Sequence, residues 1–352
     1  MLTGKRVLIT GGTGSLGQVL VRRLLSGQLG VPKKLIVFSR DEAKQHAMRV
    51  DYMHRVAVTD EVIYRNFQQI LEFRIGDVRD FRSLSSVLSQ VDVVFNAAAL
   101  KQVPTCEYFP FEAVQTNIGG PNNIVRAIEQ HGLPVETLVA ISTDKACKPI
   151  NVMGMTKAIQ ERLVLQANLH CKSTRCICVR YGNVLASRGS VIPLFEEQIR
   201  VGGPVTITTT DMTRFLLSLD RAVDTIFEAL AKANPGETFV PKVLSARIVD
   251  IAAAMIGQQE IETVVTGIRP GEKIHEILVS EEEAHRTVDG GDYYIILPIL
   301  PELRNYRKEI EPIGHEYSSA DNLATPQAIC ELLEQHDLLC PAEMPPGREL
   351  LR

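Results

Sequence analysis

Residues 7–17 read Val-Leu-Ile-Thr-Gly-Gly-Thr-Gly-Ser-Leu-Gly, an apolar run followed at once by glycines in a G-x-x-G-x-x-G arrangement. An amphipathic stretch begins inside this motif and continues to residue 26. Glycines permit a tight turn and the close approach of a pyrophosphate, whose charge meets the free N–H groups at the start of a helix. The motif predicts a strand, a phosphate-binding turn and a helix, with an unliganded glycine turn as the alternative. The expected ligand contacts are Gly11, Thr13, Gly14, Ser15, Leu16 and Gly17.

Short apolar runs continue to alternate with longer amphipathic stretches up to about residue 181. This alternation is typical of parallel strands joined by helices, and it predicts the α/β fold class with a Rossmann-type doubly wound parallel sheet. The predicted strands are Arg6–Thr10, Lys34–Phe38, Glu72–Gly76, Val91–Ala97, Thr137–Ser142 and Cys176–Arg180. The predicted helices in this part include Leu16–Ser26, Val114–Glu129 and Val152–Asn168.

Beyond residue 181 glycine and proline interrupt the alternation repeatedly, although helices are still predicted at Arg221–Lys232 and Ile248–Ile256. We therefore expect residues 1–181 to form a nucleotide-binding domain that includes the catalytic residues. Residues 182–340 are expected to form mainly a smaller α/β domain that binds the substrate, and a return of some segments to the first domain is left open. Residues 341–352 are predicted to be a surface tail.

Composition excludes several classes of protein. The chain has 352 residues, 45% hydrophobic and 23% charged, which excludes extensive disorder. Its 38 Lys and Arg against 42 Asp and Glu, without a basic block, argue against nucleic acid or an anionic membrane as a partner. The seven cysteines form no paired C-x-x-C motifs, and no apolar run is long enough to span a bilayer. We expect reduced thiols, no metal site, no membrane span and a cytoplasmic location.

The end of the second predicted strand bears on the choice of cofactor. A dinucleotide site usually presents an acid to the ribose, or an arginine to a 2′-phosphate, about twenty residues after the glycines. Here the strand ends in Ser39 and Arg40, which favour NADP; NAD is the other option, and a solvated surface arginine is the alternative for Arg40. Further cofactor contacts are expected from Asp77, Val78, Ala97, Ala98 and Ala99.

Polar residues follow the fifth predicted strand. Thr143, Asp144 and Lys145 stand at its carboxyl end, where doubly wound folds bind their ligands. A carboxylic acid beside an amine offers an acid and a base within one site. The alternative is an exposed ion pair in a turn.

Residues 151–157 read Asn-Val-Met-Gly-Met-Thr-Lys and set Met153 and Lys157 four residues apart on one face of a predicted helix. With the glycine motif and the Thr-Asp-Lys-Ala run, this segment resembles the extended short-chain dehydrogenase/reductases. Among these, the chain resembles most the C5-inverting UDP-N-acetylglucosamine 4,6-dehydratases of polysaccharide and capsule biosynthesis. The resemblance covers nearly the whole chain. The matching segments are Phe38–Glu42, Ala98–Pro104, Ser142–Ala146, Arg180–Val184, Ser187–Phe195, Asp211–Phe215 and Arg269–Lys273.

The resemblance implies a closed redox cycle on one sugar. A hydride leaves C4 for NADP⁺, the 4-ketone acidifies the C5 proton, water is eliminated across C5 and C6, and the hydride returns to C6. By the same resemblance, Asp144 protonates the departing C6 hydroxyl, Lys145 is the base at C5 and Thr143 hydrogen-bonds the C4 oxygen. Lys157 binds the nicotinamide ribose. Because a lysine base acts in its neutral form, Lys145 is expected to be desolvated.

One position departs from the common pattern of these reductases. Met153 replaces the tyrosine that usually stands four residues before the active lysine. A thioether takes no proton from the C4 hydroxyl, so the first proton acceptor is left open between Lys145, Lys101 and a water held by Thr143. The same methionine stands in some capsule-type inverting enzymes and in larger membrane-anchored retaining enzymes.

The resemblance also implies UDP-N-acetylglucosamine as the substrate and a homo-oligomer, from dimer to hexamer. Lys101 is an expected contact of both cofactor and substrate, and a surface salt bridge is the alternative for each charged residue of the substrate set. The remaining expected substrate contacts are Asn183, Arg188, Val191, Pro193, Thr206, Arg214, Arg269 and Glu272.

Three other functions compete with inverting dehydration. A C5-retaining dehydratase performs the same elimination without the inversion. A UDP-sugar 4-epimerase needs the oxidation at C4 but has no need of an acid and an amine beside the sugar. An NADP-binding regulator without turnover is suggested only by the missing tyrosine.

Overall fold

The glycine motif joins strand β1, Arg6–Thr10, to helix α1, Ser15–Leu25. β1 is buried from Val7 onward with apolar residues on both faces, as expected for a parallel strand covered on both sides. α1 directs Leu20 and Leu24, one turn apart, into the core. These elements come from a computed structural model that describes residues 1–54, 61–185, 190–304 and 311–339.

The further strands follow in chain order. They are β2 (Lys34–Ser39), β3 (Leu71–Ile75), β4 (Val93–Asn96), β5 (Thr137–Thr143), β6 (Arg175–Tyr181), β7 (Val205–Ile207), β8 (Thr213–Phe215), β9 (Thr238–Pro241), β10 (Ser245–Arg247), β11 (Thr263–Val265), β12 (Ile277–Val279), β13 (Thr287–Asp289), β14 (Tyr293–Ile296) and β15 (Tyr317–Ser318).

The further α-helices are α2 (Glu42–His54), α3 (Glu61–Ile70), α4 (Phe81–Leu88), α5 (Val103–Tyr108), α6 (Pro110–Ala113), α7 (Gly120–His131), α8 (Val152–Gln166), α9 (Val191–Arg200), α10 (Leu219–Lys232), α11 (Ile248–Ile256), α12 (Glu281–Ala284) and α13 (Pro326–Gln335). Short 3₁₀ segments lie at Asp144–Ala146, Ala167–Leu169 and Pro301–Leu303, and a π-helical segment lies at Val114–Gly119.

Nine strands form one sheet in the order β13-β14-β9-β6-β5-β4-β1-β2-β3. The seven strands from β9 to β3 pair in parallel, whereas β14 and β13 are antiparallel. The α/β class is confirmed, and all six strands predicted before residue 181 are present with ends displaced by no more than two residues. A later hairpin, β13–β14, adds two antiparallel strands at one edge of this largely parallel sheet.

The strand order reverses between β1 and β4. β1 pairs with β2 on one side and with β4 on the other, while the chain enters β4 only after β3. In doubly wound sheets a crevice opens at this place, beyond the carboxyl ends of the strands. The glycine turn after β1 and the alanine run after β4 therefore meet at the crevice.

The helix predicted at Val114–Glu129 is divided into two parts. Its first six residues form the π-helical segment, and α7 begins at Gly120. Pro121 has no N–H to donate to the carbonyl four residues earlier, so a regular α-helix would lose a hydrogen bond at this place. A π-helical turn is a common adaptation, often found at functional sites.

The chain divides into two compact units, each made of three segments. The first comprises Met1–Tyr181, Leu219–Lys242 and Ile277–Tyr317, and it contains the nine-stranded sheet. Part of its core, between the sheet and α4 and α7, includes Leu8, Val94 and Leu138.

The second unit comprises Gly182–Ser218, Val243–Glu276 and Ser318–Arg352. It holds two small sheets, an antiparallel pair of β8 with β10 and a parallel pair of β7 with β11. Phe195, Ile251 and Ile329 lie in its separate apolar core. Over the described ranges of both units, no helix is long and apolar enough to cross a membrane.

Candidate functional site

The glycine turn brings backbone into contact with backbone. Gly11 has φ +67°, and a Cβ there would lie 2.8 Å from the Cα of Ala98, which follows β4. A Cβ on Gly17 would lie 2.5 Å from the Cα of Gly12, so a side chain there would separate α1 from the turn. Gly14, the N-cap of α1, has no side chain to occupy the first amides of the helix. This cradle fits the pyrophosphate of a dinucleotide.

The tip of β2 carries a small hydrogen-bonded group around Ser39. The Thr13 hydroxyl donates to Ser39 Oγ at 3.3 Å, which links the glycine turn to this strand. The buried Gln45 amide donates to Ser39 O at 2.9 Å and to Arg74 O at 2.9 Å. Arg40 extends from the same tip with a side chain 58% exposed. An arginine held this loosely is available to a phosphate.

Asp77 lies beside this tip. Its carboxylate is 3.8 Å from Arg40 Nη1 and accepts two hydrogen bonds from the Arg79 side chain. Burial opposes ionisation of Asp77, but the hydrogen bonds from Arg79 outweigh it and lower the pKa of this carboxyl. Asp77 and Arg79 line a cavity of about 470 Å³ together with Asp80, Gln115, Gly119 and Asn123.

Val78 and the alanines after β4 contribute differently from one another. The Val78 side chain is buried in the core, so only its backbone could face a ligand. Ala97 and Ala98 are partly buried and Ala99 is exposed. The Asn96 amide accepts from the Thr10 hydroxyl at 2.8 Å, while its Nδ2 has no hydrogen-bond partner among the described residues. A donor of this kind beside Gly11 suits a polar ligand.

The predicted catalytic residues lie in direct contact at the end of β5. The Thr143 hydroxyl donates to Asp144 Oδ1 at 2.8 Å, and Lys145 Nζ donates to the same oxygen at 3.1 Å. Asp144 has no exposed side-chain surface, whereas the Lys145 side chain is 21% exposed. The alternative of a solvated ion pair therefore does not describe Asp144. A buried acid shares one oxygen with an amine and a hydroxyl.

Lys145 is partly buried, and its amine is paired with a carboxylate. The side chain is 21% exposed, and Nζ hydrogen-bonds Asp144. An adjacent negative charge stabilises the ammonium form. Loss of a proton from Lys145 is therefore favoured only after Asp144 has been neutralised or displaced.

Two residues fix the start of helix α8 against the segment that contains Lys145: the N-cap Asn151 and Gly154. Asn151 Oδ1 accepts from the Gly154 amide at 2.8 Å and thereby caps the helix. A Cβ on Gly154 would lie 2.1 Å from the Lys145 carbonyl oxygen. Any other residue at this position would displace the segment that contains Lys145 or the first turn of α8.

Met153 is packed, not solvated. It is 5% exposed and lies in an apolar cluster with Cys106 and Ala113, against which Leu100 and Val103 also pack. The thioether thus fills a hydrophobic space.

Lys157 is the lysine of this site with a perturbed pKa. Its ammonium group is buried and donates to Ile141 O at 2.5 Å and to Gln160 Oε1 at 2.7 Å. Burial lowers the pKa of Lys157 from 10.5 to about 8, and Cys178 and Glu161 only partly oppose this shift. A neutral amine keeps two N–H donors, so both hydrogen bonds survive deprotonation.

Lys101 is exposed, but the residue before it is rigidly held. Asn117, in the π-helical segment, accepts from the Leu100 amide at 2.8 Å and donates to the Leu100 carbonyl at 2.9 Å. The same amide donates to Thr156 Oγ1 at 3.0 Å. Asn117 thus connects the base of the Lys101 loop to α8.

Apart from Lys101 in the first unit, the expected substrate residues that the structure describes lie in the second unit. Arg214 is 8% exposed; its Nη1 donates to Thr213 O at 2.7 Å and Ile274 O at 3.0 Å, and its Nε is 3.9 Å from Glu276. These contacts hold the guanidinium in place. The Gln198 side-chain amide donates to the Thr206 hydroxyl oxygen and accepts a hydrogen bond from the Thr206 backbone amide.

Arg269 and Glu272 belong to one turn. The Glu272 amide donates to Arg269 O at 3.1 Å, and the Arg269 side chain is exposed. The enclosed Oε2 of Glu272 has no hydrogen-bond partner within the described ranges. A ligand hydroxyl could donate to this oxygen.

The other expected substrate residues have less definite surroundings. Asn183, Val191 and Pro193 are partly buried, and Arg188 lies outside the described residues. A cavity of about 430 Å³ in the second unit is formed by other residues, namely Thr210, Asp211, Thr213, Arg247, Val249, His275, Ala320 and Leu323. In the part of the chain that the structure describes, no group of three or more His, Cys, Asp and Glu residues could hold a metal ion.

Sequence reasoning overlooked three residues that shape the site. Gln45 orients Ser39, Asn117 fixes Leu100, and Gly154 admits the Lys145 carbonyl. Only Gly154 carried a detectable signal, since a glycine early in a helix needs a packing reason. The two amides act through residues distant in sequence, which no local pattern indicates.

Known proteins resemble this chain over most of its length. The family described as polysaccharide biosynthesis protein matches residues 7–298. A Rickettsia rickettsii protein named UDP-glucose 4-epimerase is 43% identical over 313 residues, 88% of this chain and 87% of that protein. A Campylobacter jejuni protein named UDP-N-acetylglucosamine 4,6-dehydratase (inverting) is 40% identical over 303 residues, 85% of each chain.

A solved structure agrees with the fold. The X-ray structure of Pen from Bacillus thuringiensis has a TM-score of 0.84 and 33% sequence identity, covering 96% of this chain and 99% of that chain. The relatives divide between two named activities, epimerisation and inverting dehydration. Both names designate nucleotide-sugar chemistry.

The lowered pKa of Lys157 predicts a pH-dependent stability. The folded protein releases this proton near pH 8 and the unfolded chain near 10.5, so between these values the unfolded state binds more protons and stability rises with pH. The gain is on the order of 3 kcal/mol. Buried thiols such as Cys171 and Cys176 have raised pKa values and oppose this rise in the parent and the variant alike. In urea unfolding from pH 7 to pH 10, the stability of the parent protein relative to Lys157→Met should therefore increase.

The control is Lys232→Met, since Lys232 is 69% exposed on α10. It should retain the pH dependence of the parent protein. Parallel curves for the parent and Lys157→Met would contradict a buried amine with a lowered pKa.

Proposed function

The chain belongs to the polysaccharide biosynthesis protein family of extended short-chain dehydrogenase/reductases that act on nucleotide sugars, and from this membership we propose a specific activity. The proposed reaction is the NADP-dependent 4,6-dehydration of UDP-N-acetylglucosamine with inversion at C5. Its product is a UDP-2-acetamido-2,6-dideoxy-L-arabino-4-hexulose. The relative named for this reaction covers 85% of the chain, which supports the proposal.

One observation carries the choice of dehydration over epimerisation. Asp144 is fully buried and shares its Oδ1 with Thr143 and Lys145 at the carboxyl end of β5. Elimination across C5 and C6 needs an acid for the leaving hydroxyl and a base for the C5 proton. Epimerisation at C4 needs neither. A buried acid in contact with an amine therefore favours dehydration.

The residues of the chain have distinct proposed roles. When bound, the nicotinamide supplies a hydride acceptor and later a hydride donor. Thr143 hydrogen-bonds the C4 oxygen. Transfer of a proton from the Lys145 ammonium to the Asp144 carboxylate across their hydrogen bond would supply a neutral amine and a protonated acid, and Asp144 then gives this proton to the C6 hydroxyl. Lys145 takes the C5 proton after the substrate has displaced its contact with Asp144. Lys157 binds the nicotinamide ribose.

The acceptor of the first proton is a separate question. Met153 lies in its apolar cluster and offers no basic atom. The candidates are Lys145, Lys101 and a water held by Thr143. The firmly held Leu100 backbone supports Lys101, whereas Lys145 could accept this proton only after its contact with Asp144 has been lost or neutralised.

The uridine diphosphate is proposed to bind in the second unit. Arg214 and Arg269 would contact the pyrophosphate, because guanidinium groups match phosphate geometry. The enclosed Glu272 oxygen suits a ribose hydroxyl. The remaining proposed contacts are Lys101, Asn183, Arg188, Val191, Pro193 and Thr206.

The reaction can be tested by proton NMR with UDP-N-acetylglucosamine in D₂O. We expect a C6 methyl signal, deuterium at C5 and L-arabino ring couplings in the earliest product. Asp144→Asn and Lys145→Ala should each reduce the rate by about 10²–10⁴-fold, the usual contribution of an acid or a base. Asp220→Asn and Lys232→Ala, at exposed positions on α10, serve as controls and should keep the parent rate.

Each other result points to a different function. A methyl signal with D-xylo couplings would indicate a retaining dehydratase, and a C4 epimer without a methyl signal would indicate an epimerase. Intact substrate with NADP and UDP-sugar bound would indicate a regulator or a different sugar. Parent rates in both Asp144→Asn and Lys145→Ala would refute the assigned roles.

The preference for NADP is proposed from Ser39 and Arg40. An NAD(P) cofactor is typical of this family. Arg40→Ala should weaken NADP binding by about 1.5–3 kcal/mol, the range for hydrogen bonds to charged groups, and leave NAD binding unchanged. Fluorescence titration of both cofactors measures this difference. Arg74→Ala, at an exposed arginine of β3, is the matched control, and equal losses for both cofactors would contradict the proposal.

Self-association is proposed through one face of the first unit. Tyr108 at the end of α5, Phe109 between the helices and Phe111 in α6 are 82%, 60% and 67% exposed, and both helices contact α8. Met155 and Ile159, one turn apart on α8, are 48% and 50% exposed. Large exposed apolar side chains in such a cluster mark an interaction surface, and the proposed partner is a second copy of this chain.

Aspartate substitutions on this face should dissociate the proposed oligomer into single chains. Combining Phe111→Asp with Ile159→Asp should reduce the mass measured by sedimentation to that of one chain. Val201→Asp alters an equally exposed apolar residue of the second unit and should leave the mass unchanged. A parent protein that sediments as one chain would refute self-association.

A further inference from the structure

Arg180, at the end of β6, is a buried guanidinium with every N–H donor used. Its Nε and Nη2 donate to Glu161 at 3.0 and 2.6 Å, and its Nη1 and Nη2 donate to Glu283 at 2.6 and 3.0 Å. The fifth donor, on Nη1, reaches Leu278 O at 2.9 Å. Arginine has five N–H groups, so its hydrogen-bonding capacity is filled. The guanidinium is thereby fixed in position and orientation.

Each carboxylate that binds Arg180 also accepts a hydrogen bond from a residue next to the proposed catalytic segment, Thr143–Ala146. Glu161, on α8, accepts from the Ser142 hydroxyl at 2.5 Å. Glu283, on α12, accepts from the Cys147 thiol at 3.7 Å, a distance suited to a weak S–H donor. Ser142 and Cys147 are the residues immediately before and after Thr143–Ala146. One guanidinium is thus connected through two carboxylates to both ends of the segment.

A second hydrogen bond, from Lys157 to Ile141 O, holds the Ser142 end of the segment. Lys157 and Glu161 lie four residues apart on α8 and contact Ile141 O and the Ser142 hydroxyl, which are consecutive in β5. The helix is therefore joined to the strand at two successive residues. The position of Lys157 relative to Thr143 depends on the same carboxylate.

Stability alone does not account for this network. Burying charges costs free energy that the attraction between them often only balances, and apolar replacements are frequently as stable. Here two positive charges balance two negative charges, since Arg286 also donates to Glu283 at 3.2 Å. Burial opposes ionisation of Glu283, but Arg180 and then Arg286 lower its pKa to about 2. What apolar residues could not provide is a fixed direction for the Ser142 and Cys147 hydrogen bonds.

We propose that Arg180, Glu161 and Glu283 are positioning residues that hold the two ends of Thr143–Ala146 in the geometry needed for catalysis. The proposal rests on the proposed function only in treating this segment as catalytic. The three residues act through Ser142 and Cys147 and do not themselves contact substrate. Removing one carboxylate would leave a buried charge unpaired, so the first tests remove only the outer hydrogen bonds.

The test compares Ser142→Ala and Cys147→Ala with the parent protein. Both changes leave the Arg180 ion pairs intact. Hydrogen–deuterium exchange of peptides spanning residues 143–147 should become faster in both variants. Activity should show a kcat about 10–100-fold lower with KM little changed, since small misplacements of catalytic groups have effects of this size. Cys147→Ser, which keeps a donor, should restore the parent kcat.

The matched control is Arg175→Lys. Arg175 lies at the start of the same strand and donates to Leu230 O and Ala233 O. This variant should lower the melting temperature without changing exchange at residues 143–147 or kcat. It measures the effect of a purely structural loss at a partly buried arginine.

The exchange measurement needs no substrate, so it can be interpreted whichever reaction the chain performs. Faster exchange in Ser142→Ala and Cys147→Ala, but not in Arg175→Lys, would support it even if the chain proved to be an epimerase. Parent-like exchange in both alanine variants would overturn it. Faster exchange with an unchanged kcat would also overturn it, because the segment would then need no such support.

Discussion

Close contact between backbone and backbone is the constraint on which the site depends. A Cβ at Gly11 would collide with Ala98, and one at Gly17 would collide with Gly12, so the glycine turn, α1 and the end of β4 can meet only without side chains. Gly154 plays the same part between α8 and the Lys145 carbonyl. These contacts form at the carboxyl ends of β1, β4 and β5. The sheet brings the strands together, and the glycines determine how closely their ends approach.

Once the backbones are this close, surroundings decide the protonation of each lysine. Lys145 is partly exposed and contacts Asp144, so its ammonium form is stabilised. Lys157 is buried between carbonyl and amide oxygens, and its pKa falls to about 8. Lys157 is the more deeply buried of the two amines, since it is 6% exposed and the Lys145 side chain is 21% exposed. The motif identifies which residue types are present, whereas burial is a property of the packed structure.

The predictable parts of the molecule are those determined by local pattern. β1 and α11 have the predicted bounds, because an apolar run before glycines and an amphipathic run before Gly257 are complete signals in themselves. The contact of Thr143, Asp144 and Lys145 follows from adjacency. The Gln45 bond to Arg74 O spans 29 residues, and the Asn117 bonds to Leu100 and Thr156 span 17 and 39 residues. The β13–β14 hairpin joins the sheet through pairing of β14 with the distant strand β9. Hydrophobic periodicity carries no information about such partners.

Met153 connects packing with function. A tyrosine there would place a phenolic hydroxyl in or beside a cluster of Cys106, Ala113 and their apolar neighbours, where it would need a hydrogen-bond partner. Methionine fills irregular apolar space without that requirement. The cap at Asn151, the Gly154 contact and the buried Lys157 are all present around it. Under the proposed function, methionine at this position removes one candidate acceptor for the first proton and leaves the surrounding contacts in place.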